Sequence, residues 1–215
     1  MSDAQILIPL PGEGEASRAG LPEGKTGAGP GPAPRVIGLD LSIAATGIAD
    51  ANGGTIRTAT IRTAPAKGTA ATRGRLRRIV DEITEVITLG GPSPALVAIE
   101  GPSFGSKGNA LHQIAGLWWL AVDALMAAGH PVAVIPPGTL KSYATGSGSA
   151  DKPDMRMALY KRTGIDQRDD NQVDAHWLAL AALDQLGHAV VAMPKTQRAA
   201  LDKVAWPDLA RKETI

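Results

Sequence analysis

Three carboxylates in this chain occupy positions where a charge is costly. Asp40 lies inside the apolar run Val36-Ile37-Gly38-Leu39-Asp40-Leu41, and Glu100 ends the apolar stretch Ala95-Leu96-Val97-Ala98-Ile99. Burying an ionised carboxylate is unfavourable unless it is paired or bound to a metal. Either acid alone reads equally as a strand-end group bonded to a loop backbone. Two strands of one sheet delivering carboxylates to one place is the geometry a divalent cation needs. A third source is RDDNQVDAHWLALAAL (168–183), where Asp170 and Asp174 are four apart and Asn171 and Asp174 three apart. On a helix all three share a face, where two like charges repel by a few tenths of a kcal/mol and a bound cation reverses the sign. Asp169 and Asp170 also read as helix N-caps, whereas Asp174 falls inside the helix. The chain has no cysteine, and its histidines (His112, His130, His176, His188) are scattered. Any metal site is therefore expected to be oxygen-ligated, which selects Mg²⁺ or Mn²⁺ over zinc. His176 falls off the Asp174 face and reads as structural.

Positioning these groups requires strands ending on the acids. Residues 35–42 alternate and are rich in branched side chains, which predicts a strand. Residues 46–63 predict two strands joined at Asn52-Gly53-Gly54, a favoured hairpin composition. Apolar residues Leu76, Ile79, Val80, Ile83, Val86 and Ile87 have helical spacing within 71–89. Residues 94–100 and 132–135 read as strands, and 109–128, 152–163 and 171–187 as helices. Three meandering strands followed by alternating helices and strands predict an α/β layer fold, with a mixed five-stranded sheet flanked by helices.

The chain has 215 residues, 44% hydrophobic and 20% charged, which is ordinary globular material. Residues 1–34 hold seven Gly and six Pro, four acids and two bases, and predict a disordered arm rather than a signal peptide. The folded domain is expected over 35–188, with 189–215 as a C-terminal tail. The longest apolar run, 114–129, is interrupted by Asp123 and is too short for a membrane span, so a cytoplasmic protein with no membrane contact is expected. A formal net charge of +1 conceals blocks: residues 51–80 carry seven bases (Arg57, Arg62, Lys67, Arg73, Arg75, Arg77, Arg78) and no acid. Such a run reads either as a solvated face or as a phosphate-binding surface.

Four segments, GLDLSIAATGIA (38–49), VAIEGPSF (97–104), LKSYATGSGSADK (140–152) and DDNQVDAHWLALAA (169–182), occur in the order found in RuvC-like Holliday-junction resolvases. The match covers about 150 residues, from Arg35 to Leu186, and resembles most the branch carried by actinobacteria and their phages. The resemblance implies an RNase H-like fold and a homodimer that cleaves paired strands of branched DNA, specifically four-way junctions. It assigns Asp40, Glu100 and Asp174 as metal ligands and catalytic acids. The family's further acid lies three residues before the last one, where this chain has Asn171; Asp170, one residue earlier, is the expected substitute.

On the same resemblance, two Mg²⁺ ions per active site, with Mn²⁺ as a substitute, span the scissile phosphate, and Lys152 or Lys141 offsets its charge. Lys152 ends a Gly/Ser loop that reads alone as routine, though glycine also lets backbone amides approach a phosphate. Phe104, the only Phe, follows Glu100. The family suggests a ring that stacks on bases near the branch point, against the alternative of an anchor packing its loop on the core. Lys107 meets a phosphate on either reading, and Arg73, Arg75, Arg77 and Arg78 complete the expected DNA surface. Rival expectations are another RNase H-fold nuclease for branched DNA or hybrids, and a catalytically decayed junction-binding protein. A nucleotide-binding protein of the actin/sugar-kinase type needs two such halves, so no nucleotide cofactor is expected.

Overall fold

The branched run after Arg35 forms β1 (Val36–Asp40), and the Asn-Gly-Gly turn folds β2 (Ala45–Asn52) back into β3 (Thr55–Arg62). Gly53 and Gly54 take φ of 57° and 82°, a region that side chains resist, which is why the hairpin turns there. The computed structural model describes residues 31–102 and 109–209. After the hairpin come α1 (Thr69–Leu89), β4 (Leu96–Glu100), α2 (Asn109–Ala127), β5 (Val132–Ile135) and α3 (Pro137–Thr145). Then follow α4 (Lys152–Thr163), α5 (Asp170–Gln185), the single turn α6 (Lys195–Arg198) and a 3₁₀ segment (Ala199–Lys203). Helix α3 is the one long element absent from the sequence reading. Pro136-Pro137-Gly138 looks like a breaker, yet proline at the start of a helix forfeits no hydrogen bond, and Gly146 at φ 90° closes the helix.

The strands form one sheet in the order β3-β2-β1-β4-β5. β1 runs antiparallel to β2 and parallel to β4, and β5 continues the parallel half, giving the mixed five-stranded sheet. Strand alternation then divides the core. Ile37, Leu39, Val97 and Ile99 face α1 and α2, where Ile79, Ile83, Leu117 and Leu125 cover them. Val36, Leu96, Ala98 and Ala133 face the other way, against Leu140, Tyr143, Trp177, Leu178 and Leu180.

Helix α5 is the central piece of that second layer. From Val173 to Asp184 its residues are buried except Asp174, because the sheet lies beneath it and α3 and α4 lie against it. Residues 189–209, set apart as a tail in the sequence, add Leu201 and Val204 to the same core. The Arg198 guanidinium meets the buried Asp184 carboxylate at 2.8 Å, and the Tyr143 hydroxyl donates to its other oxygen at 3.1 Å. Among the described residues no helix is long and apolar enough to cross a membrane.

Candidate active site

Strand parity sends Asp40 and Glu100 to the same face. Val36, Gly38 and Asp40 alternate with Ile37 and Leu39 on β1, and Leu96, Ala98 and Glu100 with Val97 and Ile99 on β4. Because Leu39 pairs with Ile99 in a parallel ladder, the two acids end adjacent strands at one edge of the sheet, facing α5. The ends are held from behind: Trp118 Nε1 donates to the Glu100 carbonyl at 3.1 Å, and Gly101 N–H donates to that of Ile135 at 2.8 Å. After Asp40, the buried Thr46 hydroxyl donates to the Ser42 carbonyl at 2.6 Å and closes the β1–β2 loop.

Two glycines let α5 lie directly on the strands. A Cβ on Gly38 would stand 2.1 Å from the Ala175 carbonyl oxygen, and one on Gly47 would stand 2.0 Å from that of Asn171. Gly47 is the register partner of Asp40, so the first turn of α5 crosses the sheet beside the first carboxylate. A polar tether fixes that turn to β3. Asp169 caps the helix by accepting from Asn171 N–H at 3.0 Å, and it also accepts from Thr60 Oγ1 at 2.9 Å and Arg62 Nη2 at 2.6 Å. Gln172 and Gln167 join Thr58 and Thr60 in the same network. One turn beyond, Asp174 arrives beside the strand acids.

The three carboxylates perturb one another. Burial raises the pKa of Asp40, and the Asp174 charge raises it further. Burial also raises Glu100, joined by the charges of Asp40 and Asp174 and by a side-chain hydrogen bond with Asp40. Asp174 is pushed up to about 6, first by burial and then by Asp170, while Lys152 and Lys141 act in the opposite direction. Asp174 acts on the pair through its charge; among the described residues no three acidic, imidazole or thiolate side chains already form a closed ligand set.

Two lysines flank the cluster from different elements. Lys141 projects from α3 and Lys152 opens α4; the charge of the first lowers Glu100 and that of the second lowers Asp40. Lys152 Nζ lies 3.1 Å from Asp170 Oδ2, which holds the lysine above its ordinary pKa. The Asn171 side chain turns to the cap instead, donating to Asp169 Oδ1 at 3.1 Å. Of the two neighbours, Asp170 is therefore the one placed toward Asp174 and Lys152. His176 is buried, and burial pushes its imidazole down to about 4, leaving it neutral.

The basic block divides on inspection. Arg62 ends β3 and Arg73 lies exposed in the first turns of α1, at the same end of the sheet as Asp40. Arg75 instead serves as a strap, donating to Thr63 Oγ1 at 2.8 Å and to the carbonyls of Ile43 and Thr63 at 3.0 and 3.1 Å. Arg78 pairs with Glu82 at 2.7 Å, and Arg77 stands 3.7 Å from Asp81. Phe104 and Lys107 lie outside the described residues. Asp169 is the helix N-cap expected from the sequence, but its tether to β3, the glycine floor and helix α3 were not singled out there. Their signals were present: an N-cap acid, glycines at alternating strand positions, and proline before a Gly-terminated segment.

A mixed sheet in this order, with α5 across it and acids at the ends of the two central strands, defines the RNase H-like class of fold. No family model matches the sequence, and no curated protein matches it. Among solved structures, the Thermus thermophilus RuvC structure superimposes with a TM-score of 0.55 at 21% identity, covering 74% of this chain and 99% of that one. The T. thermophilus RuvC in complex with Holliday junction substrate gives 0.57 at 25% identity, with the same coverage. The chain thus has the RuvC-like form of the fold.

Proposed function

We propose that this chain is a structure-selective endodeoxyribonuclease that resolves four-way DNA junctions by metal-assisted phosphodiester hydrolysis. The observation that carries this reading is the convergence of Asp40, Glu100 and Asp174 from β1, β4 and α5, with Lys141 and Lys152 beside them. The fold is that of a RuvC solved with a Holliday junction substrate. In kind, the donors fit a hard divalent cation, being all oxygen and, for Asp40, Glu100 and Asp174, largely withdrawn from water. Asp40, Glu100, Asp174 and Asp170 would hold two Mg²⁺ ions, or Mn²⁺, with small side-chain adjustments to close the set. Bound there, the cations supply an activated water and stabilise charge on the attacking and leaving oxygens.

The chain's own residues do the rest. Lys152, now paired with Asp170 at 3.1 Å, and Lys141, whose charge acts on Glu100 and Asp174, would offset charge on a phosphate bound at the cluster. The Asp169 tether and the two glycines keep Asp174 on a rigid helix, so the site needs no folding step on binding. A symmetric dimer accompanies the reading, because two strands must be cut in concert. Trp119 and Met126, 66% and 62% exposed on α2, are the apolar surface that supports it.

The test is cleavage of end-labelled four-way junctions, linear duplex and RNA–DNA hybrid, with Mg²⁺ and with EDTA. Paired nicks in the junction that require Mg²⁺ are expected, and Asp40→Asn should abolish them while junction binding persists. Equal nicking in EDTA, or cleavage of the hybrid in preference to the junction, overturns the reading.

A further inference from the structure

Beside Lys152 the surface of α4 forms a groove of about 780 Å³. Lys152, Pro153, Arg156, Met157 and Tyr160 line one side, and Asp166 and Asp170 the other. Its near end is the Lys152–Asp170 pair, and the charges of both groups act on Asp174 of the carboxylate cluster. Residues 152, 156 and 160 fall at i, i+4 and i+8, which makes one helical stripe of cation, cation and aromatic ring leading away from the site. Met155 and Leu159 already supply the buried side of α4, while Met157 and Tyr160 remain 50% and 51% exposed. Two large apolar groups on the outer face of a helix add nothing to this core, and their grouping at a site marks a contact surface.

The charges on the far wall are already balanced. Asp166 accepts from Arg156 Nη2 at 2.5 Å, with Arg168 at 3.7 Å, so the wall presents no free acid to an approaching phosphate. From Lys152 to Tyr160 the helix rises about 12 Å, the length of three to four nucleotide steps of ~3.4 Å.

We propose that this groove holds the strand being cut: a nucleobase about three nucleotides from the scissile phosphate stacks on Tyr160 and packs against Met157, while Arg156 follows the intervening backbone. The inference rests on the nuclease reading above and adds a stacking subsite to it. Stacking acts through the faces of the base, so Tyr160 contributes affinity and register without ionic character.

The experiment uses four-way junctions with 2-aminopurine placed singly at positions one to six on each side of the cut. Fluorescence should be quenched at one or two adjacent positions near the third. Tyr160→Ala should remove the quench and weaken junction binding about tenfold, and Tyr160→Phe should restore both. The salt slope of binding should be unchanged in Tyr160→Ala but reduced by about one in Arg156→Ala. Wild-type affinity in Tyr160→Ala, failure of Tyr160→Phe to restore it, or quenching at no particular position overturns the subsite while leaving the nuclease reading intact. A wild-type protein that neither binds nor cuts junctions overturns both.

Discussion

Replacing Asp174 by Asn removes a charge from the most crowded part of the molecule and keeps the side chain's shape. In the folded chain this carboxyl titrates at about 6 against an ordinary 3.8, because it is largely withdrawn from water and stands near Asp170. A folded-state pKa above the unfolded one means that the native state holds its proton more tightly. Below about pH 4 the group is protonated in both states and the substitution should be nearly neutral. Between pH 4 and 6 the wild type must either keep a proton or bury a charge, and above 6 the penalty is complete. The span from 3.8 to about 6, at ~1.4 kcal/mol per pH unit, is about 3 kcal/mol. For a chain of this size that corresponds to a rise of about 6–12 °C in Tm. Asp40 and Glu100 add to the effect, since the charge of Asp174 is among the causes that raise both. The assay is thermal or urea unfolding in EDTA from pH 4 to 8. Asp174→Asn should be more stable than wild type at pH 8 by about 3 kcal/mol and indistinguishable at pH 4. Mg²⁺ should stabilise the wild type more at pH 8 than at pH 5, because protons compete for the same oxygens. A variant less stable than wild type at pH 8, or a difference that does not change with pH, refutes the electrostatic account.

Two further substitutions probe how the site is held and assembled. Gly47→Ala would place a methyl 2.0 Å from the Asn171 carbonyl oxygen, so α5 must shift; a loss of about 1–3 kcal/mol is expected with a fall in junction nicking, and wild-type Tm and activity would contradict it. Trp119→Asp should convert a dimer to a monomer in sedimentation at micromolar concentration without lowering Tm by more than a few degrees, and a wild type that sediments as a monomer argues against the α2 interface.

How much of this was legible depended on whether the signal was local. Each acid's place at the end of an apolar strand is local and was legible, whereas the face that Asp40 and Glu100 share depends on the pairing of β1 with β4. The hairpin was equally plain, because Gly53-Gly54 states its own backbone angles. Helix α3 was hidden because Pro136-Pro137 is read first as a breaker and only later as a helix start. The use of Gly38 and Gly47 is not local at all, since it depends on a helix more than a hundred residues away. The basic block misleads for the same reason: Arg75 is spent on three contacts that become visible only when the loop after β1 meets the start of α1. Assigning all seven bases of 51–80 one role treats sequence neighbours as spatial equivalents.

Helix α5 supplies its own control for the meaning of the carboxylate cluster. Asp169 and Asp174 are five residues apart on one segment, yet the fold treats them in opposite ways. Burial works to raise Asp169, but donors from Thr60 and Asn171 and the nearby Arg62 charge overcome it and hold this acid below its ordinary value. Asp184, deeper still, receives the Tyr143 hydroxyl and the Arg198 guanidinium. This chain therefore gives a cationic partner to the acids that hold elements together, Arg62 for Asp169 and Arg198 for Asp184. Asp40, Glu100 and Asp174 receive no comparable set of donors among the described residues; after burial, Asp40 and Glu100 feel chiefly each other and Asp174, while Asp174 feels Lys152, Asp170 and Lys141. A structural role for that trio would leave the cost of withdrawing these acids from water largely uncompensated where β1, β4 and α5 meet. On the proposed reading a cation would compensate it, and Lys152 would be available to a phosphate if Asp170 turned to that cation.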